Sequence, residues 1–195
     1  MTIAFVLGNG LSRQGIPLHN LKELGTVYGC NSLYTEFVPD VLVATDRPIS
    51  QRIQESGYSA KNKFYTRRPI EGLGAYTVPK DYFGFSSGPL ATALAALDKH
   101  TRIYIIGFDM GPTPDKTFNN VYAGTEFYKP MGATPTYTGN WTKQITRITE
   151  DFPTVKFHRV NGRTTAHIPE FDHLKNLVQL PMDTFLDRIN NQKDF

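Results

Sequence analysis

The sequence predicts an α/β fold: a single Rossmann-like domain with a mainly parallel sheet flanked by helices. Short runs that are apolar throughout recur along the 195 residues, as at Ile3–Leu7 and at 103–106. Such runs are typical of strands buried on both faces of a sheet. Helical patterns lie between them, most clearly at 89–99, where every third or fourth residue is a leucine. A chain of this length can bury a substantial core, so one domain spanning 1–195 is expected.

The elements follow in order along the chain. Parallel strands are predicted at 3–7, 26–30, 41–45, 103–107 and 155–160, with a further strand at 63–66. Helical turns are predicted at 19–24, 49–55, 89–99 and 140–150, and 170–195 is predicted to be a C-terminal helical segment that packs on the domain. Residues 110–139 are rich in Pro and Gly and contain no convincing helix. A long segment of this kind is usually functional, so a lid-like insertion is expected there.

Composition and charge exclude several classes of function. The net charge of +3 comes without a clear basic run, so no nucleic-acid partner is expected, although Arg67, Arg68 and Arg163 could contact an anionic ligand. No apolar run approaches the roughly 20 residues that a membrane helix needs, so no membrane span is expected. The single cysteine, Cys30, fits a reducing compartment and predicts a cytoplasmic location. The five histidines are scattered without zinc-ligand spacing, so no metal site is predicted.

Polar side chains follow four of the predicted strands. Asn9, Asn31, Asp46 and Asp109 each stand directly after an apolar run. Because the carboxyl ends of parallel strands meet at one edge, where open α/β sheets bind ligands, these side chains are expected to surround one pocket. The alternative is that they start turns or cap helices, and Asp46 could cap a helix at 49–55.

Two glycine-containing turns indicate a phosphate-binding pocket. Ser86-Ser87-Gly88 precedes Pro89, a residue favoured at the first helical position, so Ser87 or Gly88 is expected to cap a helix with free N–H groups. The first strand ends in Gly8-Asn9-Gly10-Leu11-Ser12, where glycine permits a tight turn and close approach to a ligand. Arg13 stands where a dinucleotide fingerprint has its third glycine, so a classical NAD site is not expected. An ordinary turn after a strand is the alternative.

Taken in order, these motifs resemble a known family. GNGLS at 8–12, CNSLY at 30–34, SSG at 86–88 and IYIIGFDM at 103–110 are similar to motifs of the bacterial sialyltransferases of glycosyltransferase family 42. Related motifs occur in the archaeal 6-hydroxymethylpterin diphosphokinase family. The resemblance spans about residues 3 to 160. It implies a Rossmann-like domain with a lid and a CMP-linked sugar donor as substrate, used without a metal or other cofactor.

The resemblance also implies roles for individual residues. Asn9, Ser12 and Asn31 would contact the nucleotide and sugar, Ser87 and Gly88 would contact the nucleotide, and Asp109 would hold the ribose or base. Tyr122 and Tyr128 would correspond to lid tyrosines that stabilise the leaving phosphate, and Tyr137 lies in the same segment. The candidate binding set is completed by the neighbouring residues Gly8, Gly10, Asp46 and Ser86.

One residue departs from the family pattern. Asn140 stands at the position of the family's general-base histidine, in the run Thr136-Tyr137-Thr138-Gly139-Asn140. An amide cannot accept a proton at neutral pH. Another group such as Asp109, Asp115 or Glu126 would serve, or the reaction differs, or the protein binds without transfer.

The expected function is therefore that of a glycosyltransferase-like protein that binds a nucleotide or nucleotide-sugar. A glycan acceptor and a homo-oligomeric state are compatible with this expectation. A diphosphokinase-like nucleotide-dependent enzyme and a non-catalytic nucleotide-binding protein are the alternatives.

Overall fold

A computed structural model describes residues 2–134, 138–193 and 195 and contains one eight-stranded sheet in which every neighbouring pair of strands is parallel. The strand order is β5-β4-β3-β2-β1-β6-β7-β8. In chain order the strands are β1 (Ile3–Leu7), β2 (Thr26–Cys30), β3 (Val41–Val43), β4 (Phe64–Thr66), β5 (Tyr76–Thr77), β6 (Arg102–Ile106), β7 (Lys156–Asn161) and β8 (Leu177–Pro181). The predicted fold class is confirmed.

Helices cover both faces of the sheet. They are α1 (Leu18–Leu24), α2 (Arg47–Glu55), α3 (Tyr58–Lys61), α4 (Ser87–Leu97), α5 (Gly139–Asp151) and α6 (Met182–Asn191). One apolar cluster joins the sheet to α4 and α5, and a second joins the opposite face to α1, α2 and α6. Helix α4 lies close against the central strands because much of its buried face is alanine.

The strand order reverses between β1 and β6. From β1 the chain builds outwards through β2, β3, β4 and β5, and after α4 it returns to the other side of β1 with β6. The carboxyl ends of β1 and β6 therefore diverge into connections on opposite sides of the sheet. Such a switch point leaves a crevice in which open α/β sheets bind ligands.

Several predicted elements differ from the structure. The segment 170–195, expected to be helical, contains the edge strand β8 before helix α6 begins. Strand β5 lies in 70–85, where only an irregular connection was expected. Helix α4 begins two residues before Pro89, so Ser86 takes the N-cap position, and its side chain makes no capping hydrogen bond. Within the described part of the chain, no helix is long and apolar enough to cross a bilayer.

A buried histidine lies in the sheet away from the switch point. His158 on β7 is 4% exposed and stacks on Tyr104 of β6, with ring centroids 4.5 Å apart. Neither of its ring nitrogens has a hydrogen-bond partner among the described residues. Burial lowers the pKa of His158 to about 4, and the charges of Lys156, Arg102 and Arg188 act in the same direction. The fold therefore requires this imidazole to be neutral.

We predict that His158 makes the protein sensitive to acid. The unfolded chain takes up a proton near the ordinary pKa of 6.5, whereas the folded protein stays neutral down to about 4, so stability falls as the pH drops through that interval. The loss attributable to this group reaches roughly 3 kcal/mol. His158→Phe keeps the stacked ring without the titration. Thermal unfolding between pH 7 and pH 4.5 should show a smaller decrease in Tm for the variant, and equal decreases would contradict the prediction.

Candidate functional site

A cavity of about 340 Å³ opens at the switch point, and we call it the switch-point cavity. It lies at the carboxyl ends of β1, β2, β3 and β6 and at the first turn of α4. All the predicted binding residues except Ser12 line it, namely Gly8, Asn9, Gly10, Asn31, Asp46, Ser86, Ser87, Gly88 and Asp109. The volume falls within the range of small-molecule sites, about 300–1,000 Å³. Residues far apart in sequence thus form one concave site.

Glycine at two strand ends allows the cavity floor to form. A Cβ atom on Gly8 would lie 2.6 Å from the carbonyl oxygen of Gly107, and a Cβ on Gly107 would lie 2.6 Å from the carbonyl oxygen of Gly8. Gly107 also has a φ of +75°, which side chains other than glycine rarely adopt. The glycines therefore allow the ends of β1 and β6 to approach each other closely. The sequence had instead suggested that glycine allows the backbone to approach a ligand.

The first turn of α4 and a nearby arginine form one end of the cavity. The Ser87 Oγ accepts a hydrogen bond from the Thr45 N–H at 3.0 Å, which holds the turn against the end of β3. Arg67 follows β4, lines the cavity and donates to the carbonyls of Phe83 and Phe85, each at 2.7 Å. The helix start supplies backbone N–H groups without helical acceptors, and Arg67 supplies a positive charge, so this end is suited to an anion.

Asn9 uses its side chain to join neighbouring strand ends. Its Nδ2 donates to the carbonyl oxygen of Cys30 at 3.1 Å, and its Oδ1 accepts from Arg13 at 3.2 Å. The residue is 7% exposed. Asn9 therefore contributes a wall of the cavity while its amide is occupied by protein partners.

Asp109 is the centre of a buried hydrogen-bond network. Its carboxylate accepts from the Ser12 N–H at 3.0 Å, from the Ser12 hydroxyl, from Thr164 at 2.7 Å and from Thr165 at 3.1 Å. Asp109 is 3% exposed. Ser12 thus lies behind the cavity wall, and the carboxylate joins the turn after β1 to the loop after β7.

A fully buried arginine holds the turn that follows β6. Arg159 on β7 donates to the carbonyl oxygens of Phe108, Asp109 and Ala166 at 2.8 to 3.2 Å. Burial lowers the pKa of Arg159 to about 10, while the charge of Asp109 acts in the opposite direction. Arg159 has no signal in the sequence as a site residue, because it stands inside the predicted strand at 155–160 and belongs to no binding motif.

Two of the predicted residues have polar side-chain groups that make no hydrogen bond to the described residues. Asn31 has a left-handed φ of 54°, and its buried Oδ1 lacks a hydrogen-bond partner among the described residues. Asp46 is the N-cap of α2, but its exposed carboxylate makes no capping bond and no other side-chain hydrogen bond to the described residues. The capping alternative for Asp46 is therefore limited to its backbone carbonyl, which accepts from the Ser50 N–H at 3.0 Å.

The two predicted catalytic tyrosines lie outside the cavity lining. The Tyr122 hydroxyl accepts from Arg13 at 2.8 Å and donates to Glu36 at 2.8 Å, in the wall of a second cavity. The Tyr128 hydroxyl accepts from the Ser32 N–H at 3.2 Å. Burial raises the pKa of both phenols. In this arrangement both tyrosines anchor the segment that follows β6 to the region after β1 and β2.

Asn140 also lies outside the cavity lining. It is exposed in the first turn of α5, whereas Thr138 and Trp141 on either side of it do line the cavity. Tyr137, which the sequence grouped with the other tyrosines, lies outside the described residues. The 111–134 segment has no helix or strand in the structure, as expected, and its Phe118 and Asn119 complete the lining.

Three further contributors, besides Arg159, were not identified from the sequence as site residues. Arg13 is 4% exposed and donates to Gly8, Asn9, Glu36 and Tyr122, so it fills the space where a dinucleotide fingerprint has glycine. Thr164 and Thr165 bind Asp109 from a loop more than fifty residues away along the chain. No group of three or more His, Cys, Asp or Glu side chains able to hold a metal ion occurs within the described residues.

Comparisons with known proteins give one distant structural likeness. No family model and no curated protein matches the chain. Among solved structures, the sialyltransferase CstII from Campylobacter jejuni, determined in complex with the substrate analogue cytidine-5′-monophosphate, has 15% sequence identity and a TM-score of 0.49. The alignment covers 82% of this chain and 79% of that protein. A likeness of this size does not by itself assign a function.

We predict that Asp109 is a structural residue of the site. Asp109→Asn removes charge from a buried carboxylate with four donors and should lower the free energy of unfolding by roughly 2–4 kcal/mol. Asp46→Asn is the matched control, because the exposed Asp46 carboxylate has no such partners, and it should change stability by less than about 0.5 kcal/mol. Urea unfolding of both variants tests the difference, and equal stabilities would contradict it.

Proposed function

We propose that the chain binds a nucleotide or nucleotide-sugar in the switch-point cavity, as a glycosyltransferase-like protein with a CMP-linked donor. The observation that carries this proposal is that the first turn of α4 and Arg67 meet at one end of a cavity whose lining elsewhere includes amides, aromatic rings and the carboxylates of Asp46 and Asp109. A ligand that fits such a site has an anionic group and a neutral, hydroxyl-bearing part.

The proposed position of the anionic group is the first turn of α4. Ser87 and Gly88 open the helix and supply backbone N–H groups there, whereas Pro89 has none. A Cβ on Gly88 would approach the Phe108 ring to 3.3 Å, so glycine lets the turn pack closely against that ring. A phosphate at this position accepts backbone N–H bonds, gains from the helix dipole and lies near the Arg67 guanidinium.

The proposed position of the neutral part is along the remaining lining. The Asn31 side chain lines the cavity, and its amide group can hydrogen-bond to a hydroxyl group of the ligand. Phe118 and Trp141 offer ring surfaces on which a base or sugar can pack. Asn9 and Asp109 support this pocket through their protein contacts.

Nucleotide binding without sugar transfer is the second candidate. It is favoured by the side chain of Asn140, an amide that cannot accept a proton at neutral pH. It is also favoured by the hydroxyls of Tyr122 and Tyr128, which are hydrogen-bonded to protein groups. Release of nucleotide from a bound sugar nucleotide would favour the transferase, and binding without turnover would favour the second candidate.

We predict that calorimetric titration with CMP, UDP, GDP and ATP will identify at least one nucleotide that binds, and that Arg67→Gln will weaken this binding about ten- to a hundredfold. The estimate corresponds to the loss of one charge-assisted hydrogen bond, about 1.5–3 kcal/mol. Arg68→Gln is the control, because the adjacent Arg68 is exposed and lies outside the cavity lining.

The melting temperature of each variant shows whether losing the hydrogen bonds from Arg67 to Phe83 and Phe85 also destabilises the fold. Binding of none of the four nucleotides, or equal affinities for a folded Arg67→Gln and the wild type, would overturn the proposal.

A further inference from the structure

Among the residues that the structure describes, few groups in the cavity could move a proton. The ionisable residues of this described lining are Cys30, Asp46, Arg67 and Asp109. Burial raises the pKa of the Cys30 thiol to about 12, and a guanidinium cannot act as a base at neutral pH. The two carboxylates therefore remain as candidates for a general base.

The two carboxylates differ in what already binds them. Asp109 is buried and accepts hydrogen bonds from Ser12, Thr164 and Thr165, so accepting another proton would break that network. Asp46 is exposed at the cavity and makes no side-chain hydrogen bond to the described residues. A general base must be within reach of the substrate and have a lone pair free, and of the two only Asp46 meets both requirements.

The other carboxylates suggested by the sequence are not placed for this role. Glu126 forms an exposed two-point ion pair with Arg52 on α2, at 2.6 and 3.0 Å. Asp115 is exposed and lies outside the cavity lining. Both belong to the segment after β6 rather than to the strand ends.

Asp46 also has a favourable position relative to the proposed phosphate site. Thr45, the preceding residue, is hydrogen-bonded through both its N–H and its hydroxyl to Ser87 in the first turn of α4. In a sugar nucleotide the reacting anomeric carbon is bonded to the phosphate oxygen. Asp46 lines the same cavity as this turn, so a donor whose phosphate lies at the turn can bring its anomeric carbon within reach of the Asp46 carboxylate. The charged and titratable groups around Asp46 are Arg67 and Asp109, which line the same cavity, and Tyr128. The charge of Asp46 contributes to raising the pKa of Tyr128.

We propose that Asp46 is the general base of a sugar transfer in the switch-point cavity, an inference that rests on the proposed function. The Asp46 carboxylate takes the proton of an acceptor hydroxyl. The acceptor oxygen forms a bond to the anomeric carbon, and the bond from that carbon to the phosphate oxygen breaks with its electron pair. The nucleotide leaves as the phosphate anion, and water replaces the acceptor alcohol when the donor is hydrolysed.

We predict that Asp46→Asn retains donor binding and loses turnover. Nucleotide release from CMP- and UDP-linked sugars, corrected for the rate without enzyme, should fall at least a hundredfold in the variant. The Kd for the free nucleotide should change by less than about threefold, because the proposed phosphate contacts lie on α4 and Arg67.

A cavity-forming variant and a control separate catalysis from structure. Asp46→Ala should recover part of its rate with added formate, since a small carboxylate can occupy the vacated space. Asp187→Asn on α6, exposed and remote from the cavity lining, should behave as the wild type. Failure of the wild type to bind any nucleotide would instead overturn the proposed function itself. Binding with no turnover of any bound donor, or unchanged turnover in Asp46→Asn, would overturn the role of Asp46 while leaving nucleotide binding intact.

Discussion

The contact between the backbones at Gly8 and Gly107 is the constraint on which the site depends. Each glycine occupies a position where a Cβ would collide with the other's carbonyl oxygen at 2.6 Å. The Gly10 N–H donates to the Gly107 carbonyl oxygen at 2.9 Å, which extends the pairing beyond the last residues of β1 and β6. This close approach brings Asn9 and Asp109 to the same edge of the sheet. A larger side chain at either position would push the two strand ends apart, and the cavity between their connections would change shape.

Two buried arginines stabilise what the glycines bring together. Arg13 binds the carbonyl of Gly8 and the side chains of Asn9, Glu36 and Tyr122, while Arg159 binds the carbonyls that follow β6. Buried charges are tolerated where their donors are satisfied, and both guanidinium groups have several acceptors. The strand ends at the switch point are therefore held by side-chain hydrogen bonds as well as by the sheet. Some polar residues at the cavity therefore stabilise the strand ends, whereas others make no side-chain hydrogen bond to the described residues.

The central part of the fold could be predicted from the sequence, and the edges could not. Strands β1, β2 and β6 are buried on both faces, so their residues form continuous apolar runs that indicate parallel strands. Strand β5 has only two residues, both exposed, and β8 has exposed residues at its centre, so neither gives a comparable pattern. The convergence of Asn9, Asn31, Ser87 and Asp109 on one cavity followed from parallel strand direction alone. The partners of Asp109 could not be predicted, because Thr164 and Thr165 reach it through tertiary packing that leaves no local pattern.

Whether a hydroxyl or carboxylate can act on a ligand depends on its hydrogen bonds within the protein, not on its position in the order of motifs. The resemblance gave Tyr122 and Tyr128 a role at a leaving group, yet both hydroxyls are engaged with protein groups and neither residue lines the cavity. Action on a ligand would require Tyr122 to give up Arg13 and Glu36, which would leave a buried arginine with fewer acceptors. Asp46 requires no such exchange, because its carboxylate is exposed and accepts no hydrogen bond from the described residues. The proposed chemistry is therefore least costly at groups that do not stabilise the fold, and among the carboxylates of the described lining that group is Asp46.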